Sequence, residues 1–366
     1  VLGAIGGSYG GGYQFVGAFS ELRDKGATRF DALVPEITWS SLTESLFPQG
    51  VPRTEWATAL TAAALPTDAL PPLVVRGFAE ATATGHVPAY LHDFLDRNGP
   101  EWHVRQGRKL DIPVLFGQGA TDNLFPLDQG LKNFRRALTD KARAQSILVG
   151  YNGGHTLPSV LPFGSNLDVP LATIDACSPM LGSPTFADLG LRFLTQNLQG
   201  VKTGLKGLGQ LHLTTAAGDR CVTVPASAPT TPVELGEVVS TVGVGAPIAY
   251  PIAQGPLTIA GSSKLDATLT TLGLDNRAFL GLSVGTSPLD ARIVQNNMLP
   301  VRESGIVINK PRKGIELPSV AVDVPAGKTL FLTVAPISDM YVGFGSRGVG
   351  AMRMKDVVVH LPVTTR

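Results

Sequence analysis

Two rhythms of apolar residues divide this chain. Through about residue 200, short apolar runs closed by glycine or proline alternate with stretches whose apolar positions recur at helical spacing. From about Gly207 the rhythm shortens to every second residue. It is clearest in Leu211-His-Leu-Thr-Thr215, Ala267-Thr-Leu-Thr-Thr-Leu272, Val320-Ala-Val-Asp-Val324, Thr329-Leu-Phe-Leu-Thr-Val334 and Val357-Val-Val-His-Leu361. A period of two marks strands with one buried face. The first rhythm predicts strands over residues 2–5, 29–36, 112–117 and 146–150, and helices over about 11–22, 127–138 and 185–198. Strand followed by helix, repeated, predicts a parallel sheet covered by helices.

Residues from about 38 to 107 interrupt that alternation. Helical patterns such as residues 54–64 are broken at Pro48, Pro52, Pro66, Pro71 and Pro72, and all three tryptophans, Trp39, Trp56 and Trp102, fall here. The stretch reads as a helical cap inserted into the sheet, its aromatics mostly forming the cap's own core. The expected fold class is therefore α/β. A first domain over residues 1–200, with a cap over about 38–107, is followed by an all-β domain over 207–366, a β-sandwich in jelly-roll form.

Composition narrows the function classes. The chain has 366 residues, of which 43% are hydrophobic and 16% charged, with a net charge of +1. Large cores are available and disorder is not expected. No block of like charge points to nucleic acid or an anionic membrane. No apolar run reaches the roughly 18 residues of a membrane span. The two cysteines, Cys177 and Cys221, are either buried thiols or one disulfide tying the end of the first domain to the start of the second. Few lysines and glutamates beside many Gly, Thr and Ser lean towards a secreted protein, with a cytoplasmic one as the alternative.

The candidate chemistry begins at the first residues. Gly6-Gly-Ser8-Tyr-Gly10 fits G-x-S-x-G, the sharp strand-to-helix turn that exposes a nucleophilic serine. Gly6 and Gly10 are expected to give the strained serine room, and Gly11 and Gly12 to let the helix start close to the sheet. A second match, Gly281-Leu-Ser283-Val-Gly285, lies inside a strand-like segment and is read as structural. A serine hydroxyl needs a base, and the base needs an orienting acid. His86, His92 and His103 fall in the cap stretch and His212 and His360 in β segments, which leaves His155, on a loop after a strand behind Asn-Gly-Gly. Asp122, just past the preceding strand, is the expected acid, although an aspartate there could simply cap a helix. Glu36 is the alternative acid. The backbone N–H of Tyr9 would supply half of an oxyanion hole.

With these motifs assembled, the chain resembles the X-Pro dipeptidyl-peptidase/cocaine-esterase (CocE/NonD) superfamily of α/β-hydrolases. The resemblance rests on Gly-Gly-Ser8-Tyr-Gly-Gly, Val34-Pro-Glu-Ile-Thr-Trp39, Gly117-Gln-Gly-Ala-Thr-Asp-Asn-Leu-Phe125 and Gly-Gly-His155, together with the plan of a capped catalytic domain followed by a jelly roll. It implies hydrolysis of a small ester or short-peptide substrate through an acyl-enzyme, by a triad of Ser8, Asp122 and His155, with no metal or organic cofactor. Glu36, Trp39 and Phe125 are candidate pocket residues. Glu36 or Glu44 is a candidate to hold a free amino terminus if the substrate is an Xaa-Pro peptide. The family's hydrolase domain has strands ahead of the elbow and a tyrosine oxyanion donor among them. Here the first strand is the elbow's own, so an upstream fragment of the same precursor is an expected partner. The competing expectation is a hydrolase-fold protein that binds or supports without catalysing.

Overall fold

The computed structural model describes residues 1–67, 69–157, 172–227, 229–240, 245–341, 343, 345–346 and 350–364. They fall into two compact units. One is Val1–Leu42, Phe94–Thr156 and the described part of Pro170–Ala228; the other is Thr43–Asp93, Leu157 and the described part of Pro229–Arg366.

The first unit is built on a six-stranded sheet. Its strands are β1 (Gly3–Gly7), β2 (Ala32–Glu36), β3 (Leu115–Gly119), β4 (Ile147–Tyr151), β5 (Gln210–Thr214) and β6 (Cys221–Pro225), side by side in that order. The first five run parallel and β6 is antiparallel to β5. Parallel strands need cover on both faces, which is why β3 and β4 are buried throughout. On one face the helix Tyr9–Lys25 buries Phe15 and Phe19, and Phe15 stacks on Phe116 at 5.8 Å between ring centroids. On the other, Phe186, Leu189 and Phe193 of the helix Phe186–Gln199 pack on Ala32, Val34, Leu115, Val149 and Tyr151. That helix is started by Thr185, whose hydroxyl accepts the N–H of Asp188, and ends at a left-handed Gly200.

Two features differ from the expectations above. Strands β5 and β6 carry the period-two pattern, yet they extend the first sheet instead of opening the all-β domain. After the exposed Gln210, the polar positions of β5 are buried, not a solvent face. His212 is buried, bonded to the Thr223 hydroxyl at 2.9 Å and to the Gly207 carbonyl at 3.1 Å. Cys177 and Cys221 are disulfide-bonded, and both lie in the first unit. The bond ties the short helix Cys177–Met180 to β6, not one domain to the next.

The second unit joins the helices Thr54–Ala64 and Pro72–Thr84 to three antiparallel sheets. Its strands are β7 (Thr231–Ser240), β8 (Ile248–Gln254), β9 (Leu257–Gly261), β10 (Lys264–Leu272), β11 (Asp275–Gly285), β12 (Arg292–Ile293), β13 (Leu299–Ser304), β14 (Lys310–Glu316), β15 (Val320–Val324), β16 (Thr329–Ala335), β17 (Ala351–Leu361) and β18 (Val363–Thr364). The sheet orders are β14-β10-β17-β7, β12-β11-β16-β8 with β13 also on β11, and β15-β9-β18. Leu265 and Leu269 of β10, Leu280 and Leu282 of β11, Ile259 of β9 and Val357 of β17 share one core. Strand β11 is buried on its other face as well, because Phe279 packs with Val51, Met340 and Tyr341. Ser283, the serine of the second G-x-S-x-G, is fully buried on β11 against the Thr333 hydroxyl at 2.6 Å.

Candidate active site

The sheet register brings the carboxyl ends of four strands level. Gly7 lies opposite Glu36, Glu36 opposite Gly117, and Gly119 opposite Tyr151. The loops leaving β1, β3 and β4 carry Ser8, Asp122 and His155.

Ser8 occupies the turn between β1 and its helix with φ 53° and ψ −122°, a region that side chains rarely adopt. Its N–H donates to the Glu36 carbonyl at 2.9 Å, and its own carbonyl accepts the N–H groups of Gly11 and Gly12, each at 3.0 Å. The steric need for glycine falls on Gly11 and Gly12, as expected, but not on Gly6 and Gly10. A β-carbon at Gly10 would meet nothing within 4 Å and one at Gly6 only ordinary contacts, whereas one at Gly12 would lie 2.0 Å from the Trp39 ring. The tight approaches are thus those of a β-carbon at Gly11 to the Glu36 carbonyl at 2.9 Å and of one at Gly12 to the Trp39 ring.

The Ser8 hydroxyl is 2.7 Å from Nε2 of His155, and Nδ1 of His155 is 2.8 Å from Oδ2 of Asp122. Asp122 is fully buried. Oδ2 also accepts the backbone N–H of His155 at 3.0 Å, and Oδ1 accepts those of Leu124 and Phe125 at 2.9 and 2.7 Å. Four N–H groups hold this carboxylate in one orientation. The helix cap that an aspartate could have made here is not its role, since the following helix starts at Leu127 behind Pro126. Gly154 has φ 97°, and a β-carbon there would lie 2.5 Å from Oδ2. Only glycine lets the loop pass so close to the acid. The arrangement can move a proton from hydroxyl to imidazole while the carboxylate keeps the imidazole in one tautomer.

Glu36 does not reach the histidine. Its Oε1 accepts the Tyr151 hydroxyl at 2.6 Å. Burial, reinforced by Glu36, pushes the Tyr151 phenol well above its usual range. Glu44 is exposed on the short helix Leu42–Leu46. His103 is buried and stacked on Phe19 at 4.9 Å, and His360 pairs with Asp266 at 3.2 Å. Tyr9 begins the helix, with its side chain 79% exposed. A chain of rings leads from it to His155: Tyr9 to Trp39 at 6.2 Å, Trp39 to Phe125 at 5.2 Å, and Phe125 edge-on to His155 at 5.3 Å.

Several buried amides that support these groups escape a reading of the sequence. Gln118 donates to the Phe125 carbonyl at 2.6 Å. Gln129 accepts the N–H groups of Ser40 and Ser41, both at 2.9 Å, and Asn133 donates to the Trp39 carbonyl at 3.0 Å. Gln129 and Asn133 are one helical turn apart, and polar residues at that spacing on an apolar face are the signal that could have found them. Among the described residues no group of three or more His, Cys, Asp or Glu side chains is arranged to hold a metal.

No protein-family model and no curated protein matches the sequence. Solved structures do. A CocE/NonD family hydrolase from Staphylococcus aureus superposes with a TM-score of 0.64 over 99% of this chain and 72% of its own, at 12% identity. An alpha-amino acid ester hydrolase superposes with a TM-score of 0.53 over 99% of this chain and 76% of its own, also at 12% identity. The backbone of this chain thus has the fold of the CocE/NonD hydrolases.

Proposed function

We propose that this chain is a serine hydrolase of the CocE/NonD superfamily that cleaves small esters, or the amide bond of Xaa-Pro peptides, through an acyl-enzyme. The observation that carries the reading is the unbroken line from the Ser8 hydroxyl through both nitrogens of His155 to the buried Asp122, with links of 2.7 and 2.8 Å. Ser8 Oγ attacks the acyl carbon as its proton passes to Nε2. The carbonyl oxygen, now negative, faces the Tyr9 N–H at the start of a 17-residue helix, whose dipole favours negative charge there. The bond to the leaving group breaks as Nε2 returns the proton to the departing alcohol or amine. Water then repeats the sequence on the acyl-serine and restores the hydroxyl.

Trp39 and Phe125, each 5% exposed, wall the approach beside His155. Ester substrates are favoured by the likeness in fold to an alpha-amino acid ester hydrolase. We read the all-β part as a jelly roll, and the Cys177–Cys221 disulfide supports an oxidising, extracellular setting. Among the described strands β1 lies at the edge of its sheet, which fits an upstream segment of the same precursor pairing there and supplying a second oxyanion donor.

A fluorophosphonate probe and p-nitrophenyl esters test the reading directly, with Xaa-Pro amides as the second substrate arm. The wild type should label and turn over, and Ser8→Ala and His155→Ala should do neither. Hydrolysis by Ser8→Ala at the wild-type rate would end the proposal. A wild type that neither labels nor hydrolyses would indicate a hydrolase fold kept for binding.

A further inference from the structure

Glu36 touches both moving parts of the proposed catalytic pair without touching either reacting atom. Its carbonyl accepts the N–H of Ser8 at 2.9 Å, and its carboxylate accepts the hydroxyl of Tyr151 at 2.6 Å. Tyr151 is the last residue of β4 and the root of the loop that carries His155. That loop has little stiffness of its own, since Gly153 and Gly154 sit at φ 156° and 97°. Its root must therefore be fixed from outside. The Asn152 side chain does so on one flank, donating to the Thr215 carbonyl at 2.8 Å. The Tyr151 hydroxyl does so on the other, and Tyr151 is 2% exposed.

The backbone around Glu36 is shaped for this purpose. The next residue, Ile37, has φ 41°, a conformation that a β-branched side chain strongly resists. The turn it makes lets the Glu36 carbonyl face Ser8 while the Ile37 N–H donates to the Gly117 carbonyl at 2.8 Å. A strained, non-glycine residue kept at such a place marks a position where geometry is worth more than local comfort. The carboxylate then reaches across β3 to β4, because β3 lies between β2 and β4. With its phenol pushed up by burial and by Glu36, Tyr151 remains a hydrogen-bond donor well into the alkaline range.

We propose that Glu36 is a positioning residue that sets the Ser8 to His155 distance by tying the nucleophile's turn to the root of the base's loop through Tyr151. The inference rests on the triad reading, and it replaces the role of alternative acid or amino-terminus ligand with a mechanical one.

The test uses the full chain, p-nitrophenyl acetate, and the variants Glu36→Ala, Glu36→Gln, Tyr151→Phe and Glu36→Ala/Tyr151→Phe, with Ser8→Ala as control. Glu36→Ala and Tyr151→Phe should each lower kcat about tenfold at nearly constant KM, while Glu36→Gln, whose amide oxygen can accept the same bond, stays within about twofold of wild type. The double variant should be no slower than either single one, since both remove one link. Low-field proton NMR of the His155 Nδ1–H gives a readout that needs no turnover. The signal should be present in wild type and Glu36→Gln, absent in His155→Ala, and broadened or shifted in Glu36→Ala and Tyr151→Phe. Full kcat with an unchanged resonance in either single variant, a multiplicative loss in the double, or failure of Glu36→Gln to restore the rate would each overturn the proposal. Activity surviving in Ser8→Ala would instead sink the triad reading, and the resonance would still report whether Glu36 positions His155.

Discussion

A β-carbon placed on Gly12 would lie 2.0 Å from the indole of Trp39, closer than any two such atoms can pack. The contact joins the first turn of the elbow helix to the residue whose ring leads on to Phe125 and His155. Gly12→Ala should therefore cost about 1–3 kcal/mol and move the indole. Gly10→Ala, in open space on the same helix, should be neutral or stabilise by up to about 1 kcal/mol. Urea midpoints of the two variants check this. Equal stability of Gly12→Ala and wild type would mean that the indole does not press on the helix.

Asp122 accepts two bonds from His155 and two from the backbone of Leu124 and Phe125. Asp122→Asn preserves the shape but turns an acceptor into a donor towards the imidazole, favouring the wrong tautomer. We expect kcat for ester hydrolysis to fall by as much as about 10⁴. The loss should appear in kcat more than in KM, because substrate does not touch this buried side chain. Steady-state kinetics on p-nitrophenyl esters reads it.

Two titrating groups, the half-buried Glu55 and the buried His103, should tilt stability in opposite directions with pH. Burial, with repulsion from Asp339, raises Glu55 from 4.5 to about 7 against the pull of Arg53. Its contribution is complete below 4.5 and is lost as pH rises towards 7. Burial, helped by Arg108 and Arg23, lowers His103 from 6.5 to about 4, so its contribution is complete above 6.5 and is lost as pH falls towards 4. Glu55→Gln should remove the decline on the alkaline side of this window, and His103→Phe, still able to stack on Phe19, the decline on the acid side. Chemical denaturation across pH 4 to 7 separates them. Unchanged profiles would show that neither group changes its proton affinity on folding.

The Cys177–Cys221 bond closes a loop of sequence separation 44. In the chain-entropy account such a closure is worth about 4 kcal/mol. Cys177→Ser/Cys221→Ser should accordingly lower the thermal midpoint, and the wild type with reductant should follow it. A midpoint insensitive to reductant would rule out the bond as a stabilising element.

The serine turn could be read from residues 1–13 because glycines cluster between an apolar strand and a helical run, a combination that the Ser283 copy lacks. Asp122 and His155 stood out because each follows a strand end, and His155 comes after two glycines. What could not be read depends on long-range partners. Period two announced that β5 is a strand but carried no information about its neighbour, since parallel pairing to β4 and membership of a later sheet produce similar alternation. Tyr151 follows the strand expected over residues 146–150 with nothing local to mark its role, and its partner Glu36 lies far back in the sequence. Gln129 and the Asn133 amide N–H bond the backbone of Trp39, Ser40 and Ser41, contacts that only the folded chain creates.

Among the described strands β1 is bonded to β2 alone, and Ser8 stands at its tip. Strands held on one side fray at a lower free energy than those held on two. Warming should therefore disarm this molecule before it melts, with probe labelling of the serine fading below the calorimetric transition. The interval between those two temperatures should shrink when another strand zips onto the open flank.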